Sequence, residues 1–487
     1  MRNNTLKPEI DINSAPDLHE AKKRGKLAKS QEDEAEIKPS PFLIEWGKGK
    51  KYFIETFGCQ MNVRDSEIIR GYLEEIGMTM TKDPSEASFI LFNTCAVREN
   101  AEDHLYGELG HVKVFADSKP GIIVAVCGCM MQLEVPFRVI RDHYPYVNLV
   151  FGTNNIDQLF PLMDDCLRNS KRVLKVVSDP GRVVEGFPSA RMEKYRAFVN
   201  ITYGCDKFCT YCIVPFTRGM QRSRRDKDVL AEVRDLVRHG YKEVTLLGQN
   251  VSSYGMDLEN NMSFAELLEA VSETGIERIR YVTSHPHDFT DDVFDVMAKH
   301  SNIMPYLHLP VQSGSDHVLR LMNRSYDLKK YMHLVDLVKQ KVPDISLTTD
   351  IIVGFPGETE EDFQETLDVV KKVRYDSAYT FIFSPRPGTP AYKMKNNATP
   401  EEILDRFMRL KDVVDKITEE RADEWVGKTV EVLFLYPSKR NSSMMSGYDR
   451  HNHLVHVKGD KSIEGKILKV KIIESHVHSF IGELIDE

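Results

Sequence analysis

The size and composition of the chain indicate a globular protein of several domains. It has 487 residues, of which 41% are hydrophobic and 29% charged, and two to four domains are expected at this length. No stretch approaches the roughly 18 apolar residues of a membrane-spanning helix, and no apolar signal core opens the chain, so a cytoplasmic protein without membrane contact is expected. The net charge of −9 neither predicts nor excludes a nucleic-acid partner, because such binding depends on local basic patches.

Two regions of different composition come first along the chain. Residues 1–48 are rich in Lys, Asp, Glu, Ser and Pro, and such a segment buries too little apolar surface to fold, so it is predicted to be a disordered extension. From 49 to 168, strand and helix patterns alternate, which predicts an α/β domain with a parallel sheet. The predicted strands of this domain cover 51–56, 88–92, 121–126 and 147–151.

A second run of alternating strands and helices occupies residues 190–422. Its six predicted strands cover 198–202, 243–247, 278–283, 306–309, 346–352 and 378–383. Because a complete barrel needs eight such units, six predict a partial (β/α)6 barrel that is open on one side. A charged helix over about 400–422 ends this region.

The last region, 424–487, changes to short strands, among them 429–435 and 466–473, separated by Gly, Ser and Asn turns. This pattern predicts a small all-β barrel of a kind that binds nucleic acid.

Cys205, Cys209 and Cys212 form a C-x3-C-x2-C motif directly after the first strand of the partial barrel. A [4Fe-4S] cluster takes four thiolates when it is fully ligated by protein, so three closely spaced cysteines leave one iron without a protein ligand. An open metal position is typical of a catalytic rather than a structural site. The alternative is half of a zinc site, but zinc would need a fourth Cys or His nearby, and none follows closely.

A second set of three cysteines has a shared position in the first domain. Cys59, Cys95 and Cys129 each follow a predicted strand of the parallel sheet, at the edge where open α/β sheets place ligands. Gly58 and Gly128 precede two of them and would let the backbone pass close to a bulky group. These positions favour a second cluster over the alternative of three buried core cysteines. Cys127 and Cys166 are interpreted as structural.

The motifs around these cysteines resemble those of the methylthiotransferase family of radical S-adenosylmethionine (SAM) enzymes. The resemblance covers nearly everything after residue 50 and is carried by TFGCQMN, NTCAVRE, GCMMQ, GCDKFCTYCIVPFTRG, LLGQNV, HLPVQSGS, DIIVGFPGET and SPRPGTPA. It implies an N-terminal methylthiotransferase domain over 49–168, a radical SAM core over 190–422 and an RNA-binding TRAM domain over 424–487. Within the family, TSHPHDFTDD, LHLPVQSGSD and FIFSPRPGTPA are most similar to the branch that acts on tRNA carrying isopentenylated adenosine.

This branch converts N6-(dimethylallyl)adenosine at position 37, in the anticodon loop of tRNA, to its 2-methylthio derivative by replacing C2–H with C2–SCH3. That carbon is unreactive toward acids, bases and nucleophiles, so a radical cofactor is required. The resemblance implies two [4Fe-4S] clusters: one on Cys205, Cys209 and Cys212 that binds SAM, and one on Cys59, Cys95 and Cys129 that holds the transferred sulfur. An electron donor such as flavodoxin or ferredoxin is expected, and a monomer is adequate.

Further contacts to SAM are predicted at the ends of barrel strands. Gly248, Gln249 and Asn250 end one strand on the face where barrels bind ligands, although turn formation explains them equally well. Arg324 could pair with the SAM carboxylate, because a guanidinium matches a carboxylate, or it could be a solvated helix charge. No catalytic side chain is assigned.

Two groups of basic residues are candidates for tRNA contacts. A basic run is usually a solvated face, but its position beside the cysteine motif favours phosphate binding for Arg218, Arg222, Arg224 and Arg225. In the terminal module, charged and ring-bearing side chains that could hold an RNA stem or loop are Lys439, Arg440, Arg450, Tyr448, His451 and His453.

Two alternative functions stay open at this point. The enzyme could transfer a methylthio group to another substrate, such as a protein aspartate or a different modified adenosine. The chain could instead be an iron–sulfur RNA-binding protein that senses redox state without turnover. The C-x3-C-x2-C motif disfavours the second alternative, because a sensor does not need an iron that is open to SAM.

Overall fold

The computed structural model describes residues 38–97, 99–119, 121–177, 183, 185–282 and 284–485. Most of the predicted disordered extension, residues 1–37, lies outside this part. The chain divides into two compact units. The first contains residues up to Met192 together with 203–208 and 212–223, and the second contains 193–202, 209–211 and 224–487. In the described part, no helix combines the length and the apolar character needed to cross a bilayer.

The first unit is built on a six-stranded parallel sheet, as the alternating pattern predicted. Its strand order is β2-β1-β3-β4-β5-β6. The strands are β1 Lys51–Thr56, β2 Thr79–Met80, β3 Phe89–Thr94, β4 Ile123–Gly128, β5 Leu149–Phe151 and β6 Val173–Lys175. The helices are α1 Pro41–Gly47, α2 Gln60–Glu75, α3 Glu99–Ser118, α4 Glu134–His143 and α5 Leu159–Asn169.

Alternation along the central strand β3 explains why this sheet is covered on both faces. Phe89 and Leu91 belong to one hydrophobic core, whereas Ile90 and Phe92 belong to another. All six residues of β3 are buried, which is typical of a parallel strand between two helical layers. Helix α1 corrects the prediction of disorder up to residue 48, because its Leu43 is fully buried in the first of these cores.

The second unit contains six parallel barrel strands in two three-stranded sheets, β11-β10-β7 and β12-β13-β14. From residue 196 onward the strands are β7 Arg196–Asn200, β8 Thr202–Tyr203, β9 Arg222–Ser223, β10 Glu243–Leu247, β11 Arg278–Tyr281, β12 Tyr306–His308, β13 Ser346–Val353 and β14 Ser377–Ile382. Over the same stretch the helices are α6 Val214–Thr217, α7 Asp226–Arg238, α8 Phe264–Ser272, α9 Asp291–Lys299, α10 Asp316–Leu321, α11 Leu328–Lys341, α12 Glu360–Val373 and α13 Pro400–Asp423. Of these elements, α6 and β9 belong to the first unit. The predicted partial (β/α)6 barrel is therefore confirmed.

The 24-residue helix α13 leads from the partial barrel to the terminal module. It begins with a capping box in which Thr399 and Glu402 satisfy each other's backbone N–H groups, and Pro400 occupies its first turn. The module is a closed barrel of order β15-β16-β17-β19-β18, as the strand pattern predicted. Its strands are β15 Thr429–Pro437, β16 Met444–Asp449, β17 Leu454–Lys458, β18 Ile467–His476 and β19 Ser479–Leu484.

A buried charge network connects the partial barrel to the terminal module. Glu243, at the start of β10, lies 3.0 Å from a guanidinium nitrogen of both Arg278 and Arg280 on β11. Burial alone would raise the pKa of Glu243, but the two guanidinium groups hold it below its usual value. Both arginines also donate hydrogen bonds to the carbonyl of Asp449 at the end of β16. The carboxylate of Glu243 thus holds Arg278 and Arg280 in the position in which both bind the backbone of the terminal module.

We predict that Glu243→Gln lowers the free energy of unfolding by about 3–5 kcal/mol, because it leaves two buried guanidinium groups without a counter-charge. Chemical denaturation measures the change. The matched control is Glu277→Gln, which removes an exposed ion pair with Lys242 and should cost less than about 1 kcal/mol. Equal losses for the two variants would contradict the structural role of Glu243.

Candidate active site

The structure brings Cys59, Cys95 and Cys129 together at the carboxyl edge of the first sheet. Cys59 is the residue that precedes α2, Cys95 follows β3, and Cys129 follows β4. The sulfur atoms of Cys59 and Cys129 lie 3.7 and 3.8 Å from the same atom, Oδ1 of Asn62. Cys95 is hydrogen-bonded to Cys59. Parallel strands end at one edge of a sheet, so residues far apart in sequence meet there.

Two glycines allow this convergence. Gly58 has φ of 120°, and a Cβ atom there would lie 2.4 Å from Cβ of Cys95. Gly128 has φ of 103°, and its Cβ would lie 2.2 Å from the carbonyl oxygen of Thr94. Both positions therefore exclude any other residue on conformational and steric grounds.

Arg218 is the cation of this site. Its Nε donates to the sulfur of Cys129 at 3.0 Å, and its Nη2 donates to Asp65 at 2.7 Å and to Asn62 at 2.9 Å. Only 4% of the residue is exposed, so the prediction that Arg218 contacts phosphate is wrong. Burial alone would lower the pKa of Arg218, but Asp65 and the neighbouring thiols raise it well above its usual value.

Sequence reasoning missed Asn62 and Asp65, although a signal was present. They follow Cys59 at intervals of three residues, which places them on one face of α2. Both are buried, at 0% and 4% exposure, and a buried Asn and Asp on a helix require specific partners. The partner of both is the guanidinium of Arg218.

The pKa values of the three thiols are shifted in opposite directions. The hydrogen bond from Cys95 lowers the pKa of Cys59, while the same bond and burial raise the pKa of Cys95. Burial raises the pKa of Cys129 to about 11, against the effect of Arg218. Three sulfur donors with a buried N–H donor beside them match the donor set of an iron–sulfur cluster. Cys127 in β4 and Cys166 in α5, which were interpreted as structural, are buried within those elements.

The cysteines of the C-x3-C-x2-C motif are distributed over both units. Cys205 and Cys212 belong to the first, and Cys209 to the second. In the first unit, the N–H of Cys205 donates to the carbonyl of Gly219 at 3.1 Å. In the second unit, Thr210 donates through its N–H to the carbonyl of Met322 and through its hydroxyl to the carbonyl of Leu321, both at 2.9 Å.

Arg324 lies directly against Cys209. Its Nη1 donates to the sulfur of Cys209 at 3.3 Å, its Nη2 to the carbonyl of Pro310 at 3.4 Å, and its Nε to the hydroxyl of Tyr326 at 3.2 Å. It follows α10 instead of lying within a helix, so the alternative of a solvated helix charge is wrong. A contact between Arg324 and the SAM carboxylate stays a prediction.

Residues 248–250 follow β10, and two of them have clear packing roles. A Cβ atom on Gly248 would lie 2.2 Å from the hydroxyl of Thr202. The buried amide of Asn250 donates to Asp288 at 2.6 Å and accepts from Ser252 at 2.7 Å. These contacts support turn formation, and SAM binding by Gly248, Gln249 and Asn250 stays a prediction.

Arg224 and the two histidines of the terminal module also correct the predicted tRNA contacts. Arg224 is buried and pairs with Glu232 at 2.6 Å.

The rings of His451 and His453 lie 4.3 and 5.0 Å from the ring of Trp425. The side chains of His451 and His453 are only 11% and 20% exposed, so little of their rings is left for stacking on RNA bases, whereas Lys439 and Arg440 are exposed.

Asp449 holds the turn between β16 and β17, which contains His451 and His453, through several hydrogen bonds. Its carboxylate accepts the backbone N–H groups of His451 and His453 and the Nδ1–H of His453 at 2.9 Å. Burial would raise the pKa of Asp449, but the histidines lower it to about 2, and burial lowers the pKa of His451 to about 4. The ligand atoms of the three residues lie within 4.8 Å of one another, and the hydrogen bonds of this turn account for the grouping.

Three protein families match successive parts of the chain. The Radical SAM superfamily matches residues 199–370, the Uncharacterized protein family UPF0004 matches 51–152, and the TRAM domain matches 424–485. The chain is 46% identical over 473 residues to tRNA-2-methylthio-N(6)-dimethylallyladenosine synthase of Geobacillus kaustophilus (strain HTA426), covering 97% of this chain and 89% of the relative. It is 47% identical over 474 residues to the Bacillus subtilis (strain 168) synthase, covering 97% and 92%.

The chain belongs to the tRNA-2-methylthio-N(6)-dimethylallyladenosine synthase family. The predicted membership of the methylthiotransferases is thereby confirmed. Membership of the radical SAM superfamily implies one [4Fe-4S] cluster and SAM as cofactors.

A solved structure has the same fold over much of this chain. The radical S-adenosylmethionine methyltransferase TsrM from Kitasatospora setae, solved with cobalamin and a [4Fe-4S] cluster, superposes with a TM-score of 0.52 at 14% identity. The match covers 70% of this chain and 74% of TsrM.

We predict that Arg218→Met lowers the free energy of unfolding of the cluster-free, reduced protein by about 3–5 kcal/mol, because Asp65 is left as a buried, unpaired charge. The double variant Arg218→Met with Asp65→Asn should lose clearly less than the sum of the single losses. Arg141→Met, which removes an exposed pair with Asp142, is the control. Additive losses at 65 and 218 would contradict the coupling.

Proposed function

We propose that this chain is a radical SAM methylthiotransferase that converts N6-(dimethylallyl)adenosine of tRNA to 2-methylthio-N6-(dimethylallyl)adenosine. The observation that carries the proposal is its 46% identity, over 97% of its length, to a synthase of that name. The substrate adenosine is the one at position 37 in the anticodon loop. Residues 49–168 form the methylthiotransferase domain, 190–422 the radical SAM core and 424–487 the tRNA-binding TRAM domain.

The radical chemistry is assigned to the C-x3-C-x2-C motif. Cys205, Cys209 and Cys212 would hold a [4Fe-4S] cluster whose remaining iron takes SAM, and this cofactor supplies reductive SAM cleavage when bound. Arg324 donates to the sulfur of Cys209, so a guanidinium lies directly beside this ligand. A one-electron donor such as flavodoxin or ferredoxin is required, and a monomer suffices for the reaction.

The second cluster is assigned to Cys59, Cys95 and Cys129. Three observations support this assignment: the proximity of the thiols, the two glycines that keep side chains away from them, and the hydrogen bond from Arg218 to Cys129. The positive charge of Arg218 offsets the repulsion that three thiolates would otherwise exert on one another. This cluster would hold the sulfur that is methylated and transferred.

We predict that the triple variant Cys59→Ala, Cys95→Ala, Cys129→Ala loses half of the iron of the anaerobically reconstituted protein. It should still form 5′-deoxyadenosine from SAM and a reductant, because the radical motif is intact, but no 2-methylthio nucleoside. Iron analysis and nucleoside mass spectrometry measure the two effects, and Cys166→Ala is the control for a buried cysteine outside the site. Unchanged iron content would contradict the second cluster.

tRNA binding is assigned in part to the exposed basic residues of the terminal barrel. Lys439 and Arg440 lie after β15 and are both exposed. Such groups bind phosphates and release counter-ions, so their contribution falls as salt rises.

We predict that the double variant Lys439→Ala, Arg440→Ala binds tRNA more weakly and lowers the slope of log affinity against log salt by about 2. A filter-binding or fluorescence titration at several salt concentrations measures both effects. The control Lys371→Ala, Lys372→Ala removes two adjacent exposed lysines from α12. The same loss in the control would show that total charge, not this surface, determines affinity.

A further inference from the structure

The inner wall of the partial barrel carries an aromatic surface on strands β12–β14. Alternate residues of β13 point to opposite faces, and Leu347, Ile351 and Val353 pack in the core with the outer helices. The opposite, inner face therefore presents Thr348 and Asp350, which are registered with His308 on β12 and Tyr379 on β14 respectively. Ile352 is registered with Phe381 in the same way.

Tyr379 and Phe381 are unusually exposed for aromatic residues in a barrel strand. They occupy successive inward positions of β14 and are 53% and 50% exposed. β14 is the last strand of its sheet, and in the described part no strand pairs with its other edge. The open side of the barrel is thus bordered by two accessible rings, and neighbouring exposed apolar groups mark binding surfaces in soluble proteins.

Polar groups lie beside these rings. His308 is hydrogen-bonded through Nδ1 to Thr348 at 3.0 Å and through Nε2 to Asp350 at 3.3 Å. The ring of Tyr379 lies 6.1 Å from the ring of His308 in an edge-on arrangement. A planar group on this surface would meet aromatic faces and, at its edge, an imidazole and a carboxylate. We call Tyr379, Phe381, His308 and Asp350 the aromatic platform.

β12, the strand that carries His308, ends beside a residue that contacts Arg324, which in turn contacts Cys209. Pro310, two residues after His308 at the carboxyl end of β12, accepts a hydrogen bond from Arg324. The same guanidinium donates to the sulfur of Cys209. Ligands of β/α barrels bind at the carboxyl ends of the strands. A substrate seated on the platform would therefore lie on the wall that leads to a ligand of the radical cluster.

We infer that the aromatic platform binds the N6-dimethylallyl adenine of the substrate and distinguishes it from unmodified adenine. The inference rests on the proposed function and names the substrate-recognition surface of that site. Splayed RNA bases stack on aromatic side chains, and the branched dimethylallyl group is apolar and favours contact with a ring over water. The carboxylate of Asp350 can accept a further hydrogen bond from the adenine edge. The small, one-strand extent of the exposed rings suits a single base.

The test compares two anticodon stem-loops that differ only in the dimethylallyl group on the target adenosine. We expect the reconstituted protein to bind the prenylated RNA more tightly and Phe381→Ala to weaken this binding about tenfold, the order found for loss of one base–aromatic contact. Affinity for the unmodified stem-loop should change less than about twofold. Phe381→Leu should retain part of the preference, because it keeps an apolar side chain. Tyr379→Ala should act like Phe381→Ala.

Leu404→Ala, an equally exposed residue on α13, is the matched control. Iron content and 5′-deoxyadenosine formation without RNA show that each variant is folded and that its radical site is intact. An unchanged preference in both Ala variants, with methylthio product still formed, overturns the platform and leaves the proposed function standing. Absence of both preference and methylthio product in the unaltered protein overturns the two together.

Discussion

The structure of the first unit depends on one buried guanidinium. Three thiols, an amide and a carboxylate meet at the edge of its sheet, and Arg218 is hydrogen-bonded to one member of each type. Without a cation, the thiolates of these cysteines and the carboxylate of Asp65 would repel one another strongly, because the region excludes water. Because the guanidinium has five donors in a fixed plane, it can serve all three types of acceptor at once.

Arginine side chains with similar contacts occur in the second unit, where they bind different acceptors. Arg324 lies against Cys209, and Arg278 and Arg280 share Glu243. In each case an arginine far away in sequence fixes a group that matters for the site or for the terminal module. Buried ion pairs contribute little net stability compared with apolar packing, but they are demanding in geometry. They specify one arrangement of loops that would otherwise be free to shift.

Much of the fold followed from pattern alone. Alternating strands and helices predicted both the parallel sheet of the first unit and the partial barrel of the second. The positions of Cys59, Cys95 and Cys129 after successive strands were enough to predict that these residues lie close together. The burial of charged side chains could not be predicted from the sequence pattern. Arg218 and Arg224 stand in a run that resembles a solvated basic face, and only tertiary partners, Asp65 and Glu232, show that they are internal.

His451 and His453 illustrate a related limit. Their spacing is that of an exposed turn, and nothing local reveals that Trp425, from the preceding connection, covers them. The aromatic platform could not be foreseen either. Tyr379 and Phe381 alternate with Ala378 and Thr380 as in any half-buried strand, and their accessibility follows from the absence of a neighbouring strand in the described part of the chain.

The contact of Arg278 and Arg280 with the end of β16 limits which terminal barrels could replace this one. The terminal barrel covers two charged side chains of the catalytic core and receives hydrogen bonds from both. The terminal barrel is therefore bound to the partial barrel through the backbone of β16. A barrel taken from another protein would need a backbone carbonyl at the same place, because without it two buried guanidinium groups would lose an acceptor.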